Sequence, residues 1–356
     1  MFHDPVALRY NDSLRTEQST RELAWLLALD ARRLESEGQL DEALDRYLAM
    51  MHMARHVANR GTILQRLIGT AIEGLVFDRM PLWAAHSEQT PERIRKAIAE
   101  LQRLGPQFPS ATDTMKVEYL VLRRLMDSDP EDIAPIAKDV YDPTVLVLWG
   151  RLMPWEMTRS RRLLDALANT DIQLLAMIER ELATGQWKLF AEESLISRMG
   201  AGHYDSYQKA ILTSPFVRLV YPANDFLIRA PGRRLTQLRA LQIILALKGW
   251  QDEHDELPRS LNDLEGSYFD KVPPDPFTGQ PFGYQPDGFP DPVRFAEPAD
   301  FESKPDQPLL WSAGFGHKKT FGRDESGWLV IVDQRMMGQN RGTKGSAQAG
   351  WAFPIP

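Results

Sequence analysis

Cysteine is absent from all 356 residues, which excludes disulfides, thiolate metal sites and a cysteine nucleophile. An absence this complete also favours a chain made for an oxidising compartment, where stray thiols mispair. Long apolar runs are missing too. The best, residues 23–31 and 241–247, are flanked by charge and fall well short of the about 20 residues that span a bilayer. Met1-Phe2-His3-Asp4-Pro5 has neither the basic region nor the apolar core of a signal peptide. The expectation is a chain without a membrane span. It would sit in the cell envelope or periplasm if an anchor or signal precedes this start, and in the cytoplasm if Met1 is the native start. Positive charge is also in deficit: 42 basic against 49 acidic residues give −7, which argues against a nucleic-acid partner. The pairs Arg161-Arg162 and Arg233-Arg234 lie among apolar residues at helical spacing and read as solvated helix faces.

Recognisable catalytic motifs are lacking as well. There is no Gly-x-x-x-x-Gly-Lys phosphate loop, no Gly-x-Gly-x-x-Gly after a strand and no Gly-x-Ser-x-Gly elbow. His52 and His56 stand i, i+4 on one helix and offer two ligands to a metal, but zinc needs a third ligand and no His-Glu-x-x-His is present. Met50, Met51 and Met53 beside them suit a packed face. Glu192-Glu193 and Asp252-Glu253 are adjacent pairs on helices and point apart. Ser260 and Ser312 read as a cap and a strand residue. No catalytic, cofactor-binding or metal-binding residue is assigned.

What the chain does have, with 43% apolar and 26% charged residues, is the composition of an ordinary globular protein. Helical periodicity dominates from about 21 to 228. Leu23, Leu26, Leu27, Ala31 and Leu34 share one face, Gly38 is a helix stop, and Leu40, Ala43, Leu44, Tyr47, Leu48 and Met51 begin the next face. This hairpin looks like one tetratricopeptide unit, with no second copy at the 34-residue period. Leu64, Leu67, Ile68, Ala71, Ile72 and Leu75 make a third helix. Thr90-Pro91 opens a fourth, with Ile94, Ala97, Ile98, Leu101 and Leu104 as its core stripe. Ser110 caps a helix through Met126, and Asp127 to Tyr141 reads as an acidic, proline-punctuated connection. Thr170 and Gln173 predict a capping box opening a helix with Leu174, Ile178 and Leu182. The stretch 195–228 is helical but broken at Pro215 and Pro222.

After Gly249 the character changes. An apolar helix with Leu238, Leu241, Ile244, Leu245 and Leu247 leads to Leu257-Pro258. There follow Pro273-Pro274-Asp275-Pro276-Phe277-Thr278-Gly279-Gln280-Pro281-Phe282-Gly283-Tyr284 and later Leu310-Trp311-Ser312-Ala313-Gly314. In that order these elements resemble the soluble part of the type II secretion major pseudopilins, over about a quarter of the chain. The resemblance implies a long helix covered by a small antiparallel sheet. Physically, Phe277, Phe282, Tyr284 and Trp311 would wedge between the two, and Ser260 would cap a short turn at Leu261 to Leu264.

This chain departs from the family in two places. Pro231-Gly232-Arg233-Arg234 stands where the family has a continuous apolar spine, which argues against assembly into a pilus. The family also binds calcium after its Leu-Trp-Ser-x-Gly strand; here Asp324 and Glu325 fall short of the about six to eight oxygens calcium prefers, so that site is expected to be degraded. A further resemblance, carried by Gly38, Leu40, Ala43 and Leu44 together with the C-terminal module, is to uncharacterised bacterial envelope proteins with a helical bundle before a pseudopilin-like end.

The expected fold class is therefore mainly α. Residues 1–230 form an irregular helical bundle with one tetratricopeptide-like hairpin. Residues 231–333 form a small α+β pseudopilin-like module with an insertion at 285–308, and 334–356 a flexible tail that Trp351 and Phe353 can pin at its end. The first functional reading is a non-enzymatic envelope or secretion-associated adaptor that binds other proteins through its helical domain. The alternatives are a metal-dependent hydrolase using His52 and His56, and a peptide-binding helical-hairpin adaptor. The last of these predicts a groove lined by exposed apolar residues from successive helices.

Overall fold

In the computed structural model, which describes residues 10–127, 152–184, 214, 217, 225–290, 293–295, 301–312, 319–323, 329–333 and 351–355, helix α1 (Tyr10–Ser36) stops at Gly38. Its φ of +73° favours glycine, and the Gln39 N–H closes the turn onto Leu34 O at 2.9 Å. Helix α2 (Leu40–Ala58) buries Leu40, Ala43, Leu44, Tyr47 and Met51 as its spacing predicts. Helix α3 (Ile63–Ala84) opens on a capping box between Thr62 and Gln65. At its far end Trp83 Nε1 donates to Leu40 O at 3.0 Å, tying α3 back to the start of α2. Helix α4 (Pro91–Leu104) begins on Thr90 with Pro91 at its first position and buries all five predicted stripe residues.

Two of the expected faces are rotated. On α1 the inward residues are Ala24, Ala28, Ala31 and Leu34, while Leu23 and Leu26 are 50% and 62% exposed. Alanines let α1 approach α2 and α3 closely, and the leucines are left outside. On α3 the buried row is Ile68, Ile72, Val76 and Met80, with Leu64 and Leu67 exposed. Both helices are apolar on more than one side, so periodicity alone does not choose the core face.

Helix α5 (Ala111–Asp127) starts at Ser110, whose Oγ accepts from the Asp113 N–H at 3.2 Å. It packs along α6 (Pro154–Thr184). The predicted start at Thr170 is wrong: Thr170 lies inside α6, and its hydroxyl donates to Ala166 O at 2.9 Å. A Thr-x-x-Gln pattern caps a helix only where the preceding backbone is not already helical, and here residues 154–169 are.

Helix α7 runs unbroken from Asp225 to His254 with Pro231 inside it. It therefore begins upstream of the boundary expected at 231, and Pro231 to Arg234 does not interrupt it. From Ala240 to Leu247 every side chain is buried, because α3 and α4 cover one side while strand β4 (Leu309–Ser312) and the Leu261–Leu264 turn cover the other. A helix apolar all round is a central helix. One hydrophobic cluster consequently runs from Ala24 on α1 through α7 to Phe282, Leu310 and Ile355.

In the C-terminal region Ser260 caps the Leu261–Leu264 turn, as predicted. Strand β1 (Gly283–Gln285) pairs antiparallel with β4. Phe277 and Phe282 are buried, and Tyr284 and Trp311 half-buried. The tail is not free at its end: β7 (Trp351–Pro354) pairs antiparallel with β4, with Leu310 opposite Phe353, and Ile355 is buried. The insertion at 285–308 contributes structure too. Its β2 (Val293–Phe295) and β3 (Phe301–Glu302) join β5 (Lys319–Arg323) and β6 (Leu329–Asp333) in a second sheet of order β3-β2-β6-β5. Asp324 and Glu325 of the expected calcium loop lie outside the described residues, as do Glu192, Glu193 and Pro222. Among the described residues no helix is long and apolar enough to cross a membrane.

A second fastening holds the module on the helices. Tyr268 Oη donates to Glu253 on α7 at 2.8 Å. Arg95 of α4 pairs with the same carboxylate and lies over the Tyr268 ring, 4.8 Å from its centroid. Gly249 makes this possible, since a Cβ there would stand 2.5 Å from Tyr268 Oη and 2.8 Å from its ring. Gly249→Ala gains about 1 kcal/mol of helix propensity but meets an aromatic ring that cannot step aside, an overpacking cost of about 1–3 kcal/mol. Denaturant unfolding is expected to show net destabilisation. Gly74→Ala, whose Cβ meets nothing within 4 Å, is expected to stabilise by about 0.5–1 kcal/mol. Equal effects at the two sites would refute the close approach.

Candidate protein-binding face

Among the described residues the histidine pair has no third ligand grouped with it. His52 is half-buried and His56 exposed. Burial, and then the nearby charges of Arg55 and Arg103, hold the His52 pKa below its ordinary value. Cations at this spot oppose a metal ion as they oppose a proton. Among the described residues no group of three or more His, Asp or Glu side chains is arranged to hold a metal.

The most concentrated polar chemistry is internal. Arg234 of α7 pairs bidentately with Glu73 of α3, at 2.5 and 2.7 Å, and donates to Gly105 O at 3.1 Å. Glu73 is 1% exposed. Arg234 is thus no solvated helix face; the expectation fails because its partner lies far away in sequence. Arg161 likewise donates to Met126 O at 3.0 Å. The Phe108 ring carries two guanidinium groups, Arg234 at 4.1 Å and Arg66 at 5.2 Å from its centroid. Burial pulls Arg66 down to about 10, and Arg66 donates to Pro109 O at 2.7 Å.

Two acids then cap helices from a distance. Glu118 of α5 accepts the Ile63 N–H at the start of α3, at 2.9 Å. Glu179 of α6 accepts from Ser110, Ala111 and Thr112 at the start of α5. These carboxylates satisfy helix N-termini. They are engaged with the protein's own donors and serve to hold helices together.

In the C-terminal module the organiser is Asp275, whose role no local pattern among its neighbouring prolines and aromatics signals. It is 1% exposed. One carboxylate oxygen accepts the Phe277 N–H at 3.0 Å, and the other accepts from Ser312 Oγ at 2.9 Å. Its carbonyl accepts the Gly279 N–H at 2.8 Å. Asp275 thereby shapes the Pro-Asp-Pro-Phe-Thr-Gly turn and fastens it to β4. Ser312 is a strand residue as predicted, and its hydroxyl belongs to this link.

Among the described residues, large apolar side chains are exposed on the outer side of α1 and α3, and others, Leu120, Leu152, Trp155 and Met177, lie elsewhere. The two helices pack side by side and leave Trp25, Leu26, Leu29, Leu64, Leu67 and Leu82 exposed. On α3, Leu64, Leu67, Ala71, Leu75 and Leu82 follow one another at spacings of three, four and seven residues and so lie along one side. Exposed large apolar side chains are where an interaction site is sought, which makes this side of the molecule the candidate face. No family model matches the chain, and no curated protein and no solved structure does either.

One of the buried acids yields a pH test. Burial raises the Glu118 pKa above its ordinary 4.5, against the Ile63 N–H, which lowers it. A carboxyl with a raised folded pKa adds stability fully below the unfolded value and loses it as pH rises through the folded value. Glu118→Gln keeps an acceptor for Ile63 without the charge. It is expected to melt higher than the parent at pH 7, with the difference closing as pH falls through the raised folded value toward 4.5. A difference constant with pH would contradict a strained carboxylate.

Proposed function

We propose that this protein is a non-enzymatic adaptor that binds a protein partner through its helical layer, with the C-terminal α+β module as a structural part of an envelope or secretion-like assembly. The exposed apolar face of α1 and α3 carries the reading. The peptide-binding alternative predicts a groove lined from successive helices, whereas these residues come from α1 and α3 with α2 between them in the chain, so the adaptor reading is the one we carry forward. Burying the exposed half of a single leucine is worth about 1 kcal/mol, and several together make a sufficient docking energy once the cost of association is offset.

The pseudopilin-like reading of the module is supported by its order of elements: a long helix, a proline-rich turn, and a strand bearing Leu-Trp-Ser. In this chain α3 and α4 pack on that helix. The module would therefore act as a fixed terminus to the helical layer and not as a polymerising subunit.

The test is site-specific photo-crosslinking in cells that make the protein, with a photoreactive amino acid placed at Leu26, at Leu67, or at the exposed Ala99 of α4 as control. Discrete cross-linked products from the first two positions, and none from the third, are expected. Products as frequent at Ala99, or none at Leu26 and Leu67, would count against an adaptor working through this face.

A further inference from the structure

Strand β7 reaches its sheet by a detour. After β4 the chain builds β5 and β6 of the second sheet, then returns at Trp351 to complete the order β1-β4-β7. No hairpin ties β7 to β4. Residues 334–350 lie between β6 and β7, with Met336 and Met337 as their only large apolar residues and glycine at 338, 342, 345 and 350. Register is therefore set by the strand's own contacts. Ile355 is 5% exposed and belongs to the hydrophobic cluster around α7, and Phe353 packs against that cluster half-buried. The Ile355 N–H donates to Pro308 O at 3.4 Å. Alternation along an antiparallel ladder then puts Phe353, opposite Leu310, and Trp351, opposite Ser312, at hydrogen-bonded positions. Pro354, which has no N–H, falls opposite Leu309, where none is needed.

The slot is built independently of the strand that fills it. β4 is held by β1 along its other edge, by the Ser312–Asp275 hydrogen bond and by its packing on α7. β7 is an edge strand: β4 bonds it on one side, and no described strand bonds the other. An edge strand without a hairpin is the kind of element that opens locally, ahead of the global fold.

We infer that the outer edge of β4 is a strand-docking site that takes residues 351–355 of a second copy as well as the chain's own, so that copies join by exchanging β7. Strand and slot have the same sequences whichever copy supplies them, so the exchanged and closed states make the same contacts, a low-cost route to association. Main-chain bonds to β4 supply affinity, and the seats of Phe353 and Ile355 supply selectivity. The tethered strand has an effective concentration on the order of millimolar. Exchange is accordingly the state of crowded copies, as within an assembly, and closure that of dilute ones.

The absence of cysteine makes a disulfide trap direct. Full chains carrying W311C are mixed with full chains carrying A352C, positions that face each other in the ladder, at increasing concentration and then oxidised. Exchange predicts a disulfide-linked pair of chains in the mixture, rising with concentration and scarce in either variant alone. An excess of a peptide of residues 350–356 should suppress it. The same peptide with I355D should need about tenfold more, as loss of a buried isoleucine implies. A melt of each variant checks folding, and L309C with P354C, also opposite one another, serves if W311C does not fold. A linked pair that ignores both peptides, or yields equally to both, would reflect collision and overturn the docking site. Mixtures of folded variants that give only monomers would make β7 a fixed strand and overturn the exchange. Monomers together with peptide binding to the parent chain would also overturn it, and would reassign the β4 edge to a strand of a different protein.

Discussion

The ion pair between Arg234 and Glu73 is the constraint on which the rest of the architecture depends. It joins the central helix α7 to α3 and, through Gly105 O and the Phe108 ring, to the connection between α4 and α5. Removing either partner strands a charge in a nearly dry site, a cost of about 3–5 kcal/mol. The attraction itself contributes less than that figure suggests, because both ions first lose their water. What the pair confers is a unique seating of α7 on α3.

Around this pair the helices are held in sequence by one another's acids. Glu118 of α5 caps α3 and Glu179 of α6 caps α5, so each helix start depends on a helix that follows it in the chain. On the other side of α7, Glu253 gathers Arg95 and Tyr268, and Asp275 fixes the proline-rich turn onto β4. The molecule's buried polar groups are thus spent on joining elements. Its outer α1/α3 surface leaves large apolar side chains exposed, and the function we propose is placed there and not in the internal network.

Local signals in the sequence were accurate where one helix face is clearly apolar or a cap is unambiguous. Thr90-Pro91, the α4 stripe, the Gly38 stop and the Ser260 cap all appear as expected. The failures share a cause. On α1 and α3 apolar residues occupy both the core side and the outer side, so their faces were assigned to the larger leucines when tertiary packing chose alanine and β-branched residues. Thr170 mimics a cap, and Pro231 mimics a break, because neither pattern reports whether the neighbouring backbone is already helical. Arg234 and Asp275 were unreadable for a different reason: their partners, Glu73 and Ser312, lie far away in sequence, and burial at a distance leaves no local trace.

A single buried pair would seat the helical layer and the C-terminal module as one cooperative unit. A double-mutant cycle with Glu73→Leu, Arg234→Met and the two combined, followed by chemical denaturation, tests that most directly. Each single change should cost about 3–5 kcal/mol, and the double, which leaves no charge stranded, far less than their sum. Additive effects, or single costs below about 1 kcal/mol of the kind typical of surface ion pairs, would contradict it.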